Sequence, residues 1–476
     1  MSTGERAALL QPPGEPSGRP LLVRNDPDAM LAWHQGEAVT VAGFLAAVAA
    51  VAERLPEASA ALNLADDRYA FSVLFCALLW RGQTNLLPAS RSPAAIAAVA
   101  AAFPGCQEVD DADVRGGLVT AHFEPLSWPR IAGDLTALVA CTSGTTGEPR
   151  CWPRSWDLAC QAHAGSRQRL MNWFGSRFSV VATVPPQHMF GWEFTVLLPL
   201  QAEVSVHAGR PLFPADIAAA LAEMPAPRVL VTTPLHLRSL AASGMKLPPL
   251  AGILSATAPL DAELATLVEN RLGAPVYEIY GSTETCAIAS RRTIEGAWWQ
   301  PMPGIRLRPG PEGCEVTASF MQHSLWLGDL IELDVTGERF RLIGRQQDLL
   351  EIAGKRMSLA ALNRHLLAIP GVVDGVVLQQ APGHGGVARI AALVVAPGLD
   401  EATILEALRQ QVDPAFLPRP LRRVAALPRN ETGKLPRAAL LAMLRTGRPG
   451  TTDVQSEDED RVAGRAAAGM VSPAAP

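Results

Sequence analysis

Lysine is nearly absent from this chain: among 41 basic residues only Lys246, Lys355 and Lys434 are lysines, and the rest are arginine. With a net charge of −5 and no Lys/Arg run, the sequence offers no clustered basic surface, which excludes nucleic acid as the expected partner. Long apolar runs are missing as well. The longest uncharged one, residues 71–80, is about half of what a membrane span needs and reads as a buried helix. The opening MSTGERAALLQPPGEPSGRP has no apolar stretch of signal-peptide length, so a cytoplasmic location is expected. Cysteine is sparse: Cys76, Cys106, Cys141, Cys151, Cys160, Cys286 and Cys314 are odd in number, scattered and never spaced as CxxC. That pattern predicts neither a disulfide framework nor a zinc site, and it fits a reducing compartment. Where a chain uses arginine almost everywhere, each lysine it keeps invites a local reason.

What is present is apolar and layered. At 476 residues and 48 % apolar, the chain is long enough for a large domain plus at least one smaller one. Residues 1–20 are Pro/Gly-rich and expected to be disordered. From there to 343, short apolar strand candidates (137–141, 178–184, 229–233, 276–280) alternate with helical stretches (94–102, 216–223, 262–271). The alternation predicts an α/β domain with mainly parallel sheets. From 344 to 446 the pattern changes to a compact α+β domain, with strands at 375–379 and 389–395 and a helix at 401–412. In that helix Ile404, Leu405, Leu408 and Val412 form one stripe, and Asp400 is placed to cap it. Residues 447–476 lack apolar periodicity and read as a disordered tail. No internal repeat is visible.

Five short segments carry chemistry. The first is Thr142-Ser143-Gly144-Thr145-Thr146-Gly147-Glu148-Pro149-Arg150, directly after the strand ALVAC. Glycines let successive N–H groups converge on an anion, hydroxyls add donors, and Arg150 adds a fixed charge. It is not the GxxxxGK[ST] loop, because the lysine–hydroxyl pair is missing. The second is Tyr280-Gly281-Ser282-Thr283-Glu284 at the end of the strand VYEIY, where a carboxylate beside a phosphate loop suits Mg²⁺. Then come Leu327-Gly328-Asp329 and Gly344-Arg345, an acid and a base able to hold a ribose diol. The last is Asn430-Glu431-Thr432-Gly433-Lys434. Taken singly, each of the later four is also what an ordinary polar turn looks like.

In this order and spacing, the five segments resemble the adenylate-forming superfamily of acyl- and aryl-CoA ligases, peptide-synthetase adenylation domains and luciferases, over residues 22–446. The resemblance implies that residues 142–150 wrap the phosphates of ATP and that Glu284, beside Thr283, holds Mg²⁺. It implies that Asp329 and Arg345 bind the ribose and that Thr257, Ala258 and Pro259 edge the adenine pocket. Lys434, on a mobile C-terminal domain hinged at Gln347, would meet the reacting carboxylate and α-phosphate. His188 matches a position at the mouth of the substrate and thiol channels, although a capping histidine at a strand end would look the same. Phe190, Gly191, Trp192 and Ser255 are the expected pocket walls.

Several stretches (NLADDRYAFSVLFCALLWRGQTNLLP, VPPQHMFGWE, TTPLHLRSL, IAGKRMSLAALNRHLL) are more narrowly similar to the hydroxybenzoate:acyl carrier protein ligases of xanthomonadin and aryl polyene pigment clusters. That similarity implies an aromatic acid adenylated by ATP and delivered to a carrier-protein thiol. The chain departs from the wider family in three places. Arg150 stands where lysine is usual, and the two cations are not interchangeable. Gln347 replaces the usual aspartate or lysine, and MSLAALN follows Lys355-Arg356 where CoA ligases read xPxEIE. A fatty or short-chain acyl-CoA ligase remains an alternative, as does a catalytically silent nucleotide-binding regulator.

Overall fold

The computed structural model describes residues 18–115, 129–143, 149–311, 313–321, 323–345, 349–352, 355–380, 389–430 and 433–446. The expected tail at 447–476, most of the expected N-terminal segment, Gly144, Thr145, Thr146, Gly147 and Gln347 lie outside the described residues. Two compact units emerge. The first runs to Leu349 and takes in Arg429–Lys434; the second comprises Leu350–Pro428 and resumes at Leu435.

The first unit is layered α/β, as the alternation predicts. Its nine-stranded sheet has a parallel centre in the order Val276–Ser282, Gly252–Ser255, Arg228–Thr232, Arg177–Ala182, Glu203–His207, Met30–His34. Antiparallel strands close it, Cys286–Arg292 and Gln300–Pro301 at one edge and Glu37–Thr40 at the other. A five-stranded sheet runs Gln107–Val109, Ala60–Asn63, Thr84–Leu87, Thr136–Ser143, Pro149–Ser155, parallel except for its last pair. All four strand candidates are strands, each buried along its centre.

Helices start where short polar side chains can take up the first free N–H groups. Asp67 accepts from Ala70 N at 2.9 Å, Ser155 from Leu158 N at 3.2 Å and Asp261 from Leu264 N at 2.7 Å. The uncharged run 71–80 lies inside the helix Arg68–Trp80, every residue of which is buried. Helix Trp156–Phe174 touches strands of both sheets, and one apolar cluster draws on both. Arg19–Pro20, expected to fall in a disordered segment, instead pairs with Arg130–Ile131.

In the second unit, Arg389–Val395 lies between antiparallel Asp374–Gln380 and parallel Leu421–Arg423. Alternate residues of these strands enter two apolar clusters. Val377, Ile390, Ala392 and Val394 meet helices Leu359–Leu367 and Glu401–Arg409, while Leu378, Ala391 and Leu393 meet Arg437–Thr446. This is the period-two signature of a sheet covered on both faces. Asp400 caps its helix through Thr403 N at 2.7 Å, and the helix ends at Arg409, short of the expected 412.

One expectation is overturned: Cys141 and Cys151 form a disulfide. Spacing along the chain could not reveal it, because the two residues face each other across the antiparallel pair of Thr136–Ser143 with Pro149–Ser155. Directly opposed cross-strand residues are the closest neighbours a sheet provides. The free cysteines are Cys76, Cys106, Cys160, Cys286 and Cys314.

Candidate active site

The glycine- and hydroxyl-rich segment leaves the Thr136–Ser143 strand and returns as Pro149–Ser155, the register pairing Thr142 with Arg150 and Ser143 with Pro149. The Thr142 hydroxyl donates to the Arg150 carbonyl at 3.2 Å, so the base of the loop is fixed on both sides. Arg150 is exposed and lies over the Trp152 ring, 4.8 Å from its centroid. Alternate residues of a strand share a face, so Arg150, Trp152 and Arg154 form one row.

Tyr280, Gly281 and Ser282 end the Val276–Ser282 strand, and a turn through Thr283, Glu284 and Thr285 leads to Cys286–Arg292. The turn is tight. A Cβ on Gly281 would come within 2.1 Å of the Cys286 carbonyl oxygen, and Cys286 itself has φ of 60°. Only glycine fits the first position. Thr285 Oγ1 accepts from Ser282 N at 3.0 Å and donates to the Cys286 carbonyl at 2.9 Å, closing the turn from inside. Thr283 and Glu284 are half-buried at its tip.

The other residues expected on the nucleotide side also fall in the first unit. Asp329 and Arg345 are register partners at the open end of the antiparallel hairpin formed by Asp329–Leu333 and Phe340–Arg345. Ala256, Thr257, Ala258 and Pro259 follow the Gly252–Ser255 strand. Thr257 takes φ of 79°, unusual for a β-branched residue and the kind of strain that survives only where surroundings impose it. Just beyond, Glu278 Oε1 accepts from Leu260 N at 3.0 Å while its other oxygen receives Arg291.

Lys434 is exposed and ends a turn closed by reciprocal bonds with Asn430, each 2.8 Å. It belongs by its contacts to the first unit, and its ammonium is felt by His188. Burial, aided by that ammonium, pushes the His188 imidazole down to about 3. His188 also caps the short helix Met189–Trp192, its Nδ1 accepting from Phe190 N at 3.3 Å. The capping and channel-mouth readings of this residue are therefore compatible.

Residues 37–313 match the AMP-binding enzyme family. The chain belongs to that family. A 4-coumarate–CoA ligase of Halorhodospira halophila is 30 % identical over 342 residues, 64 % of this chain and 79 % of that protein. A sulfoacetate–CoA ligase of Cupriavidus necator is 27 % identical, over 70 % and 72 % of the two chains. The o-succinylbenzoate–CoA synthetase of Bacillus subtilis, solved with its acyl-adenylate intermediate, superposes with a TM-score of 0.73 at 18 % identity, covering 90 % of this chain and 97 % of that one. This AMP-binding enzyme is an AMP-forming acid–thiol ligase, and it shares the fold of adenylate-forming enzymes.

Other residues of this AMP-binding enzyme escaped the sequence reading because no motif marks them. Glu193 is buried and accepts from Ser166 Oγ and Ala287 N, both at 2.9 Å, with His163 Nδ1 at 3.4 Å. It thereby ties helix Trp156–Phe174 to the strand beyond the acidic turn. Its place in a single π-helical turn, Glu193–Leu197, is a form enriched at functional sites. His236 Nδ1 meets Thr183 and Thr233 hydroxyls at 2.9 and 3.0 Å, and burial beside Arg210 lowers its pKa.

The expected pocket walls divide. Phe190 is almost wholly buried, and Ser255 is fully buried, its hydroxyl without a partner among the described residues. Gly191 is dictated by packing, since a Cβ there would lie 2.0 Å from the Pro185 carbonyl oxygen. Trp192 is fully buried with its ring 5.8 Å from Phe75, which is a core role.

Proposed function

We propose that this ligase adenylates a small aromatic acid of the hydroxybenzoate class with ATP and transfers the acyl group to the phosphopantetheine thiol of an acyl carrier protein in the cytoplasm. The observation that supports the site most is the influence of Lys434 on His188 within the unit that also holds the phosphate loop, the acidic turn and the Asp329–Arg345 pair.

In the first half-reaction a carboxylate oxygen attacks the α-phosphorus in line, and the bond to the leaving pyrophosphate breaks. Phosphoryl-type transfer of this kind gains mainly from positioning and charge neutralisation. Lys434 neutralises the charge that develops between carboxylate and α-phosphate. Neutral His188 adds no second charge there, so the ammonium acts without competition. Thr142 and Arg150 hold the departing phosphates, and Asp329 with Arg345 fixes the ribose. One half-buried carboxylate, Glu284, fits Mg²⁺, which is typically held by one or two carboxylates plus nucleotide phosphates. No cluster of three metal-binding side chains occurs among the described residues. When bound there, the ion would draw charge from the phosphates. In the second half-reaction a thiolate attacks the acyl carbon of the mixed anhydride, and AMP leaves.

The aromatic acid is supported by Phe190 and by the buried Ser255 hydroxyl, which needs a hydrogen-bond partner that a ring hydroxyl could supply. The carrier-protein acceptor is supported by MSLAALN replacing the CoA-ligase pattern after Lys355-Arg356. No helix among the described residues is long and apolar enough to cross a membrane. CoA as acceptor is the second reading, favoured by relatives named as CoA ligases.

Acid-dependent ATP–pyrophosphate exchange over hydroxybenzoates, cinnamates and fatty acids tests the acid. Exchange confined to fatty acids would overturn the aromatic reading. With the best acid in hand, competition between CoA and a phosphopantetheinylated carrier protein decides the acceptor, and preference for CoA would sink the carrier reading.

A further inference from the structure

Arg154 is buried to 5 % exposure on the strand that leaves the phosphate loop, yet its partners include no carboxylate among the described residues. One terminal nitrogen donates to the Thr283 carbonyl at 2.9 Å and the Glu284 carbonyl at 3.2 Å. The other donates to Cys286 Sγ at 2.8 Å. All three acceptors lie in one turn of four residues, at the edge of a different sheet from the one that carries Arg154.

A buried arginine is an expensive way to satisfy two carbonyls, since removing its charge from water needs compensation. What it provides instead is geometry. The planar fork has fixed directions, and a lysine could not reach both sides of the turn at once. The turn itself is bent into an unfavourable shape, with Cys286 at positive φ and Gly281 against its carbonyl. Thr285 staples it internally, and Arg154 anchors it externally to the strand on which Arg150 also stands.

We propose that Arg154 is a positioning residue that fixes Glu284 relative to the phosphate loop, and so sets how the enzyme holds magnesium on ATP. The inference rests on the reading of Glu284 as the carboxylate that meets the nucleotide-bound cation. Arg154 touches neither nucleotide nor acid in this scheme; it acts through the turn.

The test is ATP affinity measured by calorimetry in Mg²⁺ and in EDTA, for wild type, Arg154→Gln, Arg154→Lys, Glu284→Gln and the Arg154→Gln/Glu284→Gln pair. Circular dichroism and melting of each protein accompany it. Loss of an outer-shell partner typically costs 10- to 100-fold in metal affinity. Arg154→Gln is therefore expected to lose about 10- to 100-fold of the Mg²⁺-dependent gain, with affinity in EDTA unchanged. Arg154→Lys should recover part of that loss, and the double variant should bind no more weakly than Glu284→Gln alone. A folded Arg154→Gln with the wild-type Mg²⁺ gain overturns the proposal, as does an equal loss in both buffers or additive losses in the pair. Should Arg154→Gln not fold, Arg154→Lys decides alone: an intermediate Mg²⁺ gain supports the proposal, and a wild-type gain overturns it. Wild type that binds no ATP in either buffer would overturn the nucleotide reading, and this inference with it. Wild type that gains affinity from Mg²⁺ while Arg154→Gln gains equally overturns this inference alone.

Discussion

His188 lies within the electrostatic reach of Lys434. Burial holds the imidazole neutral, and the nearby ammonium reinforces the effect. Lys434→Ala should lower acid-dependent pyrophosphate exchange by about 10²- to 10³-fold, the size seen when one oxyanion-stabilising donor is removed. Retention within a few-fold would show that the ammonium is not at the reacting centre. The neutral imidazole also predicts a pH dependence of stability. Between an unfolded value of about 6.5 and the folded value of about 3, the unfolded chain binds the proton and the native chain does not. Stability from this group is thus unaffected above pH 6.5 and falls as pH drops through the window, by at most about 1.4 kcal/mol per pH unit. His188→Asn keeps a capping acceptor but cannot titrate. Urea unfolding of both proteins from pH 7 to 4 should show wild type losing stability faster; parallel decline would refute the assignment. Lys434 stands out in the sequence because lysine is rare here and its loop matches a known motif. Arg154 and Glu193 were not, since one arginine among many, or a glutamate after a tryptophan, signals nothing until folding supplies its partners.

The hairpin of Thr136–Ser143 and Pro149–Ser155 shows the same limit at the scale of an element. Its first strand could be read from an apolar run, a local feature, whereas Pro149–Ser155 carries no such run. The disulfide between Cys141 and Cys151 depends on register, which local pattern does not specify when a strand is buried on both faces. The helix at Glu401–Arg409 was likewise readable in its stripe and cap, while its end, three residues before the last apolar position Val412, was not. A bond closing a loop of sequence separation 10 stabilises by at most about 3 kcal/mol on a chain-entropy estimate. Oxidised protein should therefore show five reactive thiols on denaturation, rising to seven after reduction. Cys151→Ser should lower stability by up to about 3 kcal/mol without reductant and have little effect with it. Seven thiols in unreduced protein would remove the bond from the account. The strand pairing of Thr142 with Arg150 would still shape the loop.

Two half-reactions on one molecule impose different demands, and the chain is divided in a way that can meet both. The division into a layered α/β body and a small α+β unit was visible as a change of pattern near Gly344. The assignment of Arg429–Lys434 to the first unit was not, because it depends on contacts between segments far apart in sequence. We propose that the short link containing Gln347 must rotate between adenylation and thioester formation, as the family resemblance implies. Hinge positions absorb backbone torsion change, and proline fixes φ and removes an N–H donor. Gln347→Pro should therefore slow transfer to the thiol far more than it slows acid-dependent pyrophosphate exchange. Exchange reports adenylation alone, and single-turnover transfer from preformed acyl-adenylate reports the second step alone. A substitution that merely damaged the fold would depress both rates together and lower the melting temperature. Equal rates in wild type and variant for both steps would mean that the link does not turn during the cycle. The thiol acceptor would then have to reach the acyl-adenylate with Lys434 still in place.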